Sequence, residues 1–280
     1  MRCHSMADRR GQVGSTPIHS TKKLFKNLLT NRSKYGIIYN VERERTAIPY
    51  DRKEVNKMNK IDRRHIYGVM IDTETANGLD DPLFYDVGWQ IIDSHGRLYK
   101  ERSFVNREVF CDERELMKSA YYANKIPQYV EGIRSGDRIL ASLYEIKMAL
   151  ADDVAEYGCK FICAHNAFFD YRSLNGTQRY ITKSKYRYFV PYGLEWWDTM
   201  RMAESVICKM PTYIRFCQDN GYMLNETRPR KTAEILYKFI SQDVSFVEEH
   251  KGLEDVDIER QILAYCKRQH KAMKKTLFNS

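Results

Sequence analysis

The chain has 280 residues, of which 43% are hydrophobic and 30% are charged, a composition typical of a globular protein with one sizeable domain. It contains no run of about 18 apolar residues, so a membrane span of the usual kind is excluded. The seven cysteines stand at scattered spacings, which fits reduced thiols and a cytoplasmic location better than a disulfide framework.

The net charge of +9 is unevenly distributed. Residues 1–64 contain 16 Lys and Arg against 6 Asp and Glu, whereas residues 65–280 contain 30 against 31. We therefore predict a basic, partly disordered N-terminal arm over residues 1–64 and one domain over residues 65–280. A basic arm on a near-neutral domain is typical of proteins that bind a polyanion such as nucleic acid, although a solvated tail without a partner would carry the same charge.

The domain begins with three predicted strands, over residues 66–72, 84–92 and 97–105, which form an antiparallel meander. In the first strand, Tyr67, Val69 and Ile71 share one face. A turn is predicted directly after this strand, from Thr75 to Gly78.

Helices and short strands alternate after the meander. Strands are predicted over residues 160–164 and near Trp196 and Trp197. One predicted helix begins at about residue 167. The other predicted helices span residues 137–157, 198–208, 211–219, 230–240 and 254–271. This order predicts an α/β fold with a mixed sheet, an antiparallel meander plus parallel strands, flanked by helices.

Acidic residues follow apolar segments at three places, beginning with Asp72 and Glu74 at the end of the first strand. In an extended chain these two side chains point to the same side and can reach one ion. Asp170 follows the strand at 160–164, and Asn166 is predicted to cap the helix that carries it. Carboxylates beside apolar segments are costly to bury unless they are paired or bind metal.

The third place with an acidic residue contains Asp255, and His250 lies five residues before it. On one continuous helix these residues would lie about 140° apart, so both reach one site only if His250 lies in a loop and Asp255 in the first helical turn. Gly252 permits such a break. An apolar stripe continues from Asp255: Ile258, Ile262 and Cys266. Asp255 therefore begins the buried face of the helix.

Taken together, these segments form three motifs: Asp72-Thr73-Glu74-Thr75, His165-Asn166-Ala167-Phe168-Phe169-Asp170 and His250-x-Gly252-x-x-Asp255. In their order and spacing the chain resembles the DEDDh 3′→5′ exonucleases, proofreading-subunit-like enzymes with an RNase H-like fold. The resemblance covers roughly residues 65–270. It departs from the family pattern at Gly252, where alanine is usual.

The resemblance implies two divalent ions, Mg²⁺ or Mn²⁺, held by Asp72, Glu74, Asp170 and Asp255. It implies that His250 is the general base, a task that suits an imidazole. Further residues are expected to contact the terminal nucleotide: Thr75, His165, Asn166, Phe168 and Phe169. At least one of the two phenylalanines is expected to pack in the core.

The expected activity is removal of nucleotides from the 3′ end of single-stranded DNA or RNA. The expected partners are single-stranded nucleic acid or 3′ ends, with a DNA polymerase as a further candidate and no membrane. The basic and aromatic segment 177–190 suits a single strand, but it equally fits a solvated helix and loop. Two alternatives stay open: a non-catalytic nucleic-acid-binding or polymerase-tethering module, and another RNase H-like nuclease such as a junction resolvase.

Overall fold

The structure is a computed structural model that describes residues 61–62, 64–185, 187–248 and 250–278. The basic arm predicted for residues 1–64 lies almost wholly outside the described residues, so the division into arm and domain stays a prediction. Within these ranges no helix combines the length and apolar character needed to cross a membrane.

Six strands form one mixed sheet. They are β1 (Tyr67–Ala76), β2 (Leu83–Asp93), β3 (Leu98–Asn106), β4 (Ile139–Ala141), β5 (Phe161–Ala164) and β6 (Glu195–Asp198). Their order in the sheet is β4-β3-β2-β1-β5-β6. The β1–β2 and β2–β3 pairs are antiparallel, and the β1–β5, β5–β6 and β3–β4 pairs are parallel. The predicted α/β class, with an antiparallel meander plus parallel strands, is confirmed.

Helices flank this sheet. They are α1 (Arg114–Met117), α2 (Ile126–Ser135), α3 (Leu143–Tyr157), α4 (Ala167–Thr182), α5 (Thr199–Ser205), α6 (Pro211–Asp219), α7 (Ala233–Ser241) and α8 (Gly252–Arg268). Short helical turns span Glu108–Asp112, Ala123–Lys125 and Ile207–Lys209. The predicted helices late in the chain are present, with ends shifted by up to three residues.

The alternation of side chains in β1 divides the core into two clusters. Val69 and Ile71 pack in the cluster that also contains Leu150 of α3, as the shared face with Tyr67 predicts. Met70 points the other way and packs in a second cluster with residues of α5 to α8. Because one face of the sheet is covered by α3 and α4 and the other by the late helices, the strand ends are the places where polar side chains can meet a cavity.

The predicted helix over residues 137–157 is wrong at its start. Residues 139–141 form β4, which pairs with β3, and α3 begins only at Leu143. Ser142 separates the two elements because its side chain accepts a hydrogen bond from the Glu145 N–H, and the Glu145 side chain accepts one from the Ser142 N–H. This reciprocal cap fixes the helix start that apolar periodicity alone could not locate.

The predicted turn at Thr75 to Gly78 also begins later. Strand β1 continues through Ala76, with a bulge between Glu74 and Thr75, and the turn follows at Asn77 and Gly78, both of which have positive φ. The longer strand carries Asp72 and Glu74 out over the end of the sheet while both stay on one side of the chain.

Candidate active site

A cavity of about 580 Å³ lies where β1 and β5 end and where α4 and α8 begin. Its lining includes nine of the ten residues singled out in the sequence: Asp72, Glu74, Thr75, His165, Asn166, Phe169, Asp170, His250 and Asp255. Three sequence segments, residues 72–75, 165–170 and 250–255, therefore contribute to one cavity.

Phe168 is the residue of the ten that does not line the cavity. Its side chain is 50% exposed and lies near Tyr171 and the Arg172 guanidinium. Phe169 is partly exposed on the cavity wall, so the expectation that one of the two phenylalanines packs in the core is wrong. The first turn of α4 buries Ala167 and Asp170 instead, and the residues between them face outward.

Asp170 is held in place by the neighbouring strand. The Thr73 hydroxyl, on β1, donates to Asp170 Oδ1 at 2.9 Å and contacts the Ser173 hydroxyl at 2.7 Å. Burial raises the pKa of Asp170 to about 7. The carboxylate is thus fixed by a neutral hydroxyl and not by a cation.

Asn166 takes the N-cap position of α4, as predicted, with φ of 64°, although its side chain makes no capping hydrogen bond. Its backbone N–H donates to Asp198 Oδ1 at 3.2 Å. Beside it, His165 Nε2 donates to the Lys231 carbonyl at 2.8 Å, and Nδ1 lies 2.9 Å from the Thr199 hydroxyl. Both ring nitrogens of His165 are engaged within the protein, and burial lowers the pKa of this ring.

The loop before α8 has the arrangement that the spacing predicts. His250 precedes the helix, Lys251 is its N-cap, and Asp255 lies in the first turn. Asp255 Oδ2 accepts a hydrogen bond from the Lys251 N–H at 3.0 Å, whereas its Oδ1 is buried without a hydrogen-bond partner among the described residues. One oxygen of this carboxylate is therefore left for a ligand of the cavity.

Gly252 allows α8 to start directly against the sheet. A Cβ at Gly252 would lie 2.7 Å from the Gly88 nitrogen, and one at Gly88 would lie 2.3 Å from the Leu253 nitrogen. The Gly252 N–H donates to the buried Asp86 carboxylate at 3.1 Å. This close backbone approach is the physical reason for glycine where the resembling family has alanine.

Glu74, His250 and Asp255 form the closest cluster. Each offers a ligand atom, and these atoms all lie within 4.8 Å of one another, a grouping that could hold a metal ion. Burial, and after it the neighbouring Asp255 charge, raises the pKa of Glu74 to about 9. Burial and the Glu248 charge raise the pKa of Asp255 to about 8. The oxygen-rich donor set and the unpartnered Asp255 oxygen fit a hard divalent cation.

Asp72 completes the predicted acids. Burial raises its pKa well above the usual range, and the charges that act on it most strongly come from other carboxylates: Glu259, Asp170, Asp255 and Glu74. Such a concentration of like charge is unfavourable in a dry site unless protons or cations neutralise it.

The environment of His250 is aromatic on one side and acidic on the other. The Tyr122 ring stacks on the imidazole, with centroids 4.4 Å apart and planes inclined by 14°. Glu248 Oε2 lies 3.9 Å from His250 Nδ1. Burial, followed by the charge of Lys125, lowers the pKa of His250, so the ring is neutral near pH 7.

Sequence reasoning missed several residues of this cavity. Glu259 stands four residues after Asp255, a spacing that places both on one helix face, yet 37 acidic residues give that pattern little weight. Tyr122 comes from the tyrosine-rich stretch before α2 and reaches His250 only through tertiary folding. Glu248 had no distinguishing signal.

The basic and aromatic segment 177–190 does not line the cavity. In its described part, Tyr180 donates to Glu113 at 2.9 Å, and Lys183 lies 4.3 Å from the centre of the Tyr180 ring. Tyr186 lies outside the described residues. A role of this segment in strand binding stays a prediction.

No protein-family model matches the chain, and no curated protein sequence matches it. Solved structures of exonucleases are similar to it, as the motif resemblance predicts. Exonuclease X in complex with 5′ overhanging duplex DNA is 19% identical, with a TM-score of 0.39, over 72% of this chain and 92% of that chain.

Two structures of E. coli Exonuclease I are also similar. A complex with an oligonucleotide is 13% identical with a TM-score of 0.44, and a zinc-bound complex with ssDNA is 12% identical with a TM-score of 0.40. Each similarity covers 73% of this chain and 41% of the Exonuclease I chain.

Proposed function

We propose that this protein is a divalent-metal-dependent 3′→5′ exonuclease that hydrolyses terminal phosphodiester bonds of single-stranded nucleic acid. The observation that carries the proposal is the convergence of Asp72, Glu74, Asp170, Asp255 and His250 on one cavity. The unpartnered Asp255 oxygen supports a bound cation. Carboxylates of this density suit two ions, Mg²⁺ or Mn²⁺.

The four acids would hold the ions, which when bound supply Lewis-acid stabilisation of the phosphoryl oxygens. Asp72 and Glu74 would bind the ions from one side of β1. Asp170 and Asp255 would bind them from the starts of α4 and α8. Thr73 keeps Asp170 in place through its hydroxyl. Because these elements belong to a packed core, the carboxylates are positioned before substrate arrives.

His250 would act as the general base. Its lowered pKa keeps the imidazole neutral and able to accept a proton near pH 7. Glu248 Oε2 lies 3.9 Å from Nδ1 and, when ionised, would stabilise the imidazolium once the ring has taken a proton from water at Nε2. Tyr122 holds the plane of the ring by stacking.

The mouth of the cavity suits a nucleotide. Three apolar side chains in the lining are largely exposed, Leu79 at 75%, Tyr121 at 87% and Leu224 at 54%, and can contact bases. Arg230 is exposed on the wall and offers a cation to a phosphate. Thr75 and Phe169 line the same space. Contacts to rings and phosphates are tolerant of sequence, as an exonuclease requires.

The proposal is tested by digestion of end-labelled single-stranded DNA and RNA oligonucleotides with and without Mg²⁺ or Mn²⁺. Wild type should release mononucleotides from the 3′ end, and Asp72→Asn should not. Asp137→Asn, an exposed acid outside the cavity, is the matched control and should retain wild-type activity.

Three outcomes would contradict the proposal. Cleavage of a circular single strand would indicate an endonuclease such as a resolvase. Full activity of Asp72→Asn would exclude the assigned site. Binding without metal-stimulated cleavage would favour a non-catalytic nucleic-acid-binding or polymerase-tethering module. A polymerase partner and a cytoplasmic location stay predictions.

A further inference from the structure

Glu259 is a buried acid in the wall of the cavity that none of the three sequence motifs contains. It lies on α8 one turn after Asp255, and its side chain is only 3% exposed. Its Oε2 is buried and has no hydrogen-bond partner among the described residues. Buried carboxylate oxygens are normally satisfied, so one left open toward a cavity calls for a ligand.

The surroundings of Glu259 are acidic. The charges that act on it most strongly come from Asp170, Glu248 and Asp255, and Glu259 is itself the charge that acts most strongly on Asp72. The backbone N–H of His165 donates to the Glu259 carboxylate. That hydrogen bond brings no positive charge to offset the neighbouring acids.

Other buried acids of this fold are paired with cationic side chains. Asp86 binds the Arg138 guanidinium at 3.1 Å, and Asp153 binds Lys100 at 2.7 Å. A neutral, protonated Glu259 would need an acceptor for its O–H, but Oε2 has no partner. A cation beside Glu259 satisfies both the open oxygen and the charge.

We infer that Glu259 is a fifth carboxylate of the metal site and helps to hold a divalent cation in the cavity. This inference rests on the proposed function, because it requires a divalent cation in the cavity. Its position four residues after Asp255 puts two buried acids of one helix face in the lining of the cavity. The additional charge would raise affinity for divalent cations over a four-acid site.

The test is isothermal titration of MnCl₂ into the full-length, metal-stripped protein, with wild type, Glu259→Gln, Glu259→Asp and Asp257→Asn compared. Asp257 is the matched control, because it lies on the same helix and bonds to Arg260 and Gln261 outside the cavity lining. Thermal unfolding of each metal-free variant is measured alongside.

Glu259→Gln should weaken Mn²⁺ binding by about 10- to 100-fold, the range seen when a group supporting a metal site is removed. Its metal-free unfolding temperature should equal or exceed that of wild type, because glutamine cannot ionise among the neighbouring buried acids. Asp257→Asn should bind within about twofold of wild type. If Glu259→Gln does not fold, Glu259→Asp supplies the measurement, with an expected loss of about tenfold from the retracted carboxylate.

Wild-type Mn²⁺ affinity in Glu259→Gln would overturn the inference, and so would wild-type affinity in Glu259→Asp if only that variant folds. If Asp72→Asn loses Mn²⁺ binding in the same titration, the proposed metal site survives and only the role of Glu259 falls. Absence of Mn²⁺ binding by wild type itself would overturn both.

Discussion

Two groups of buried acids in this protein have opposite surroundings. On one side of the sheet, Asp153 of α3 is fully buried and surrounded by donors. Its Oδ2 accepts from Trp89 Nε1 at 2.9 Å and from Arg102 Nε at 2.8 Å, and its Oδ1 pairs with Lys100 at 2.7 Å. Both oxygens of this acid are satisfied by the protein itself.

At the strand ends, the acids of the cavity are surrounded by other acids. Asp255 and Glu259 each retain one buried oxygen without a hydrogen-bond partner among the described residues. The charges that most strongly affect Asp72 are all negative. The contrast teaches that burial alone does not distinguish a structural acid from a functional one. The partners of the acid distinguish the two kinds, because a buried carboxylate without a protein cation must be neutralised by a proton or by a bound ion.

The largest expected effect is on activity at the cavity. Asp255→Asn should reduce metal-dependent hydrolysis by at least about 1,000-fold, or about 4 kcal/mol of transition-state stabilisation. The metal-free protein should unfold at the same temperature as wild type or higher, because asparagine cannot ionise among the neighbouring buried acids. Hydrolysis rates measure the loss of activity, and thermal unfolding without metal measures the stability. Residual activity within about tenfold of wild type would remove Asp255 from the ligand set.

The opposite result is expected at the structural acid. Asp153→Ala should lower the free energy of unfolding by about 3 kcal/mol, because it removes a carboxylate from the buried Lys100 and the half-buried Arg102. The folded fraction should keep its Mn²⁺ affinity and its hydrolysis rate. Urea unfolding measures the loss, and activity below the unfolding transition is the control. A variant as stable as wild type would show that the two acid groups do not differ in this way.

A smaller effect is expected from the aromatic contact on the general base. Tyr122→Ala should lower kcat by about fivefold, since a stacked aromatic pair contributes about 1 kcal/mol. Tyr122→Phe should be close to wild type, because the ring and not the hydroxyl makes the contact.

The pH profile of kcat for the Tyr122 variants shows whether Tyr122 acts on His250 or only supports the fold. Burial lowers the pKa of His250, so exposing the ring in Tyr122→Ala should return its pKa toward the usual value. The acid limb of kcat should then move to higher pH. An unchanged limb would mean that Tyr122 does not shield the base.

The smallest expected effect is the pH dependence of stability without metal. Folded-state pKa values of about 7 for Asp170, 8 for Asp255 and 9 for Glu74 lie above the unfolded values. The stabilising contribution of these protonated acids is complete below the unfolded pKa values and is lost as the pH rises through the folded ones. The unfolding temperature of the metal-free protein should therefore fall between about pH 5 and about pH 9.

Saturating Mn²⁺ should remove or reverse this slope, because the cation binds the deprotonated carboxylates. Asp255→Asn should show a shallower slope than wild type in the metal-free state. A wild-type unfolding temperature that rises over the same pH window would contradict the assigned direction of the pKa shifts.

The sequence predicts the parts of this arrangement that depend on local geometry. Asp72 and Glu74 follow from strand periodicity, and the break between His250 and Asp255 follows from the helical angle and from Gly252. The sheet class was predictable for the same reason, since apolar periodicity marks the meander and the alternating elements after it.

The remaining features depend on tertiary contacts. Residues 139–141 form a strand only because β3 is available to pair with them. Tyr122 meets His250 across more than 120 residues of chain, with no spacing to reveal it. Glu259 shares a helix face with Asp255, but only its burial beside Asp72 and Asp170 separates it from the other acids of the chain.

The backbone of His250 has φ of +50°, a left-handed conformation that most residues with a side chain adopt at a cost. Asparagine tolerates this conformation better than alanine, because its short amide can bond locally. An inactive variant for capturing an uncleaved strand should therefore be His250→Asn, which removes the base while the loop keeps its path into α8. His250→Ala would disturb that path, and a strand trapped with it would report a displaced loop as well as a missing imidazole.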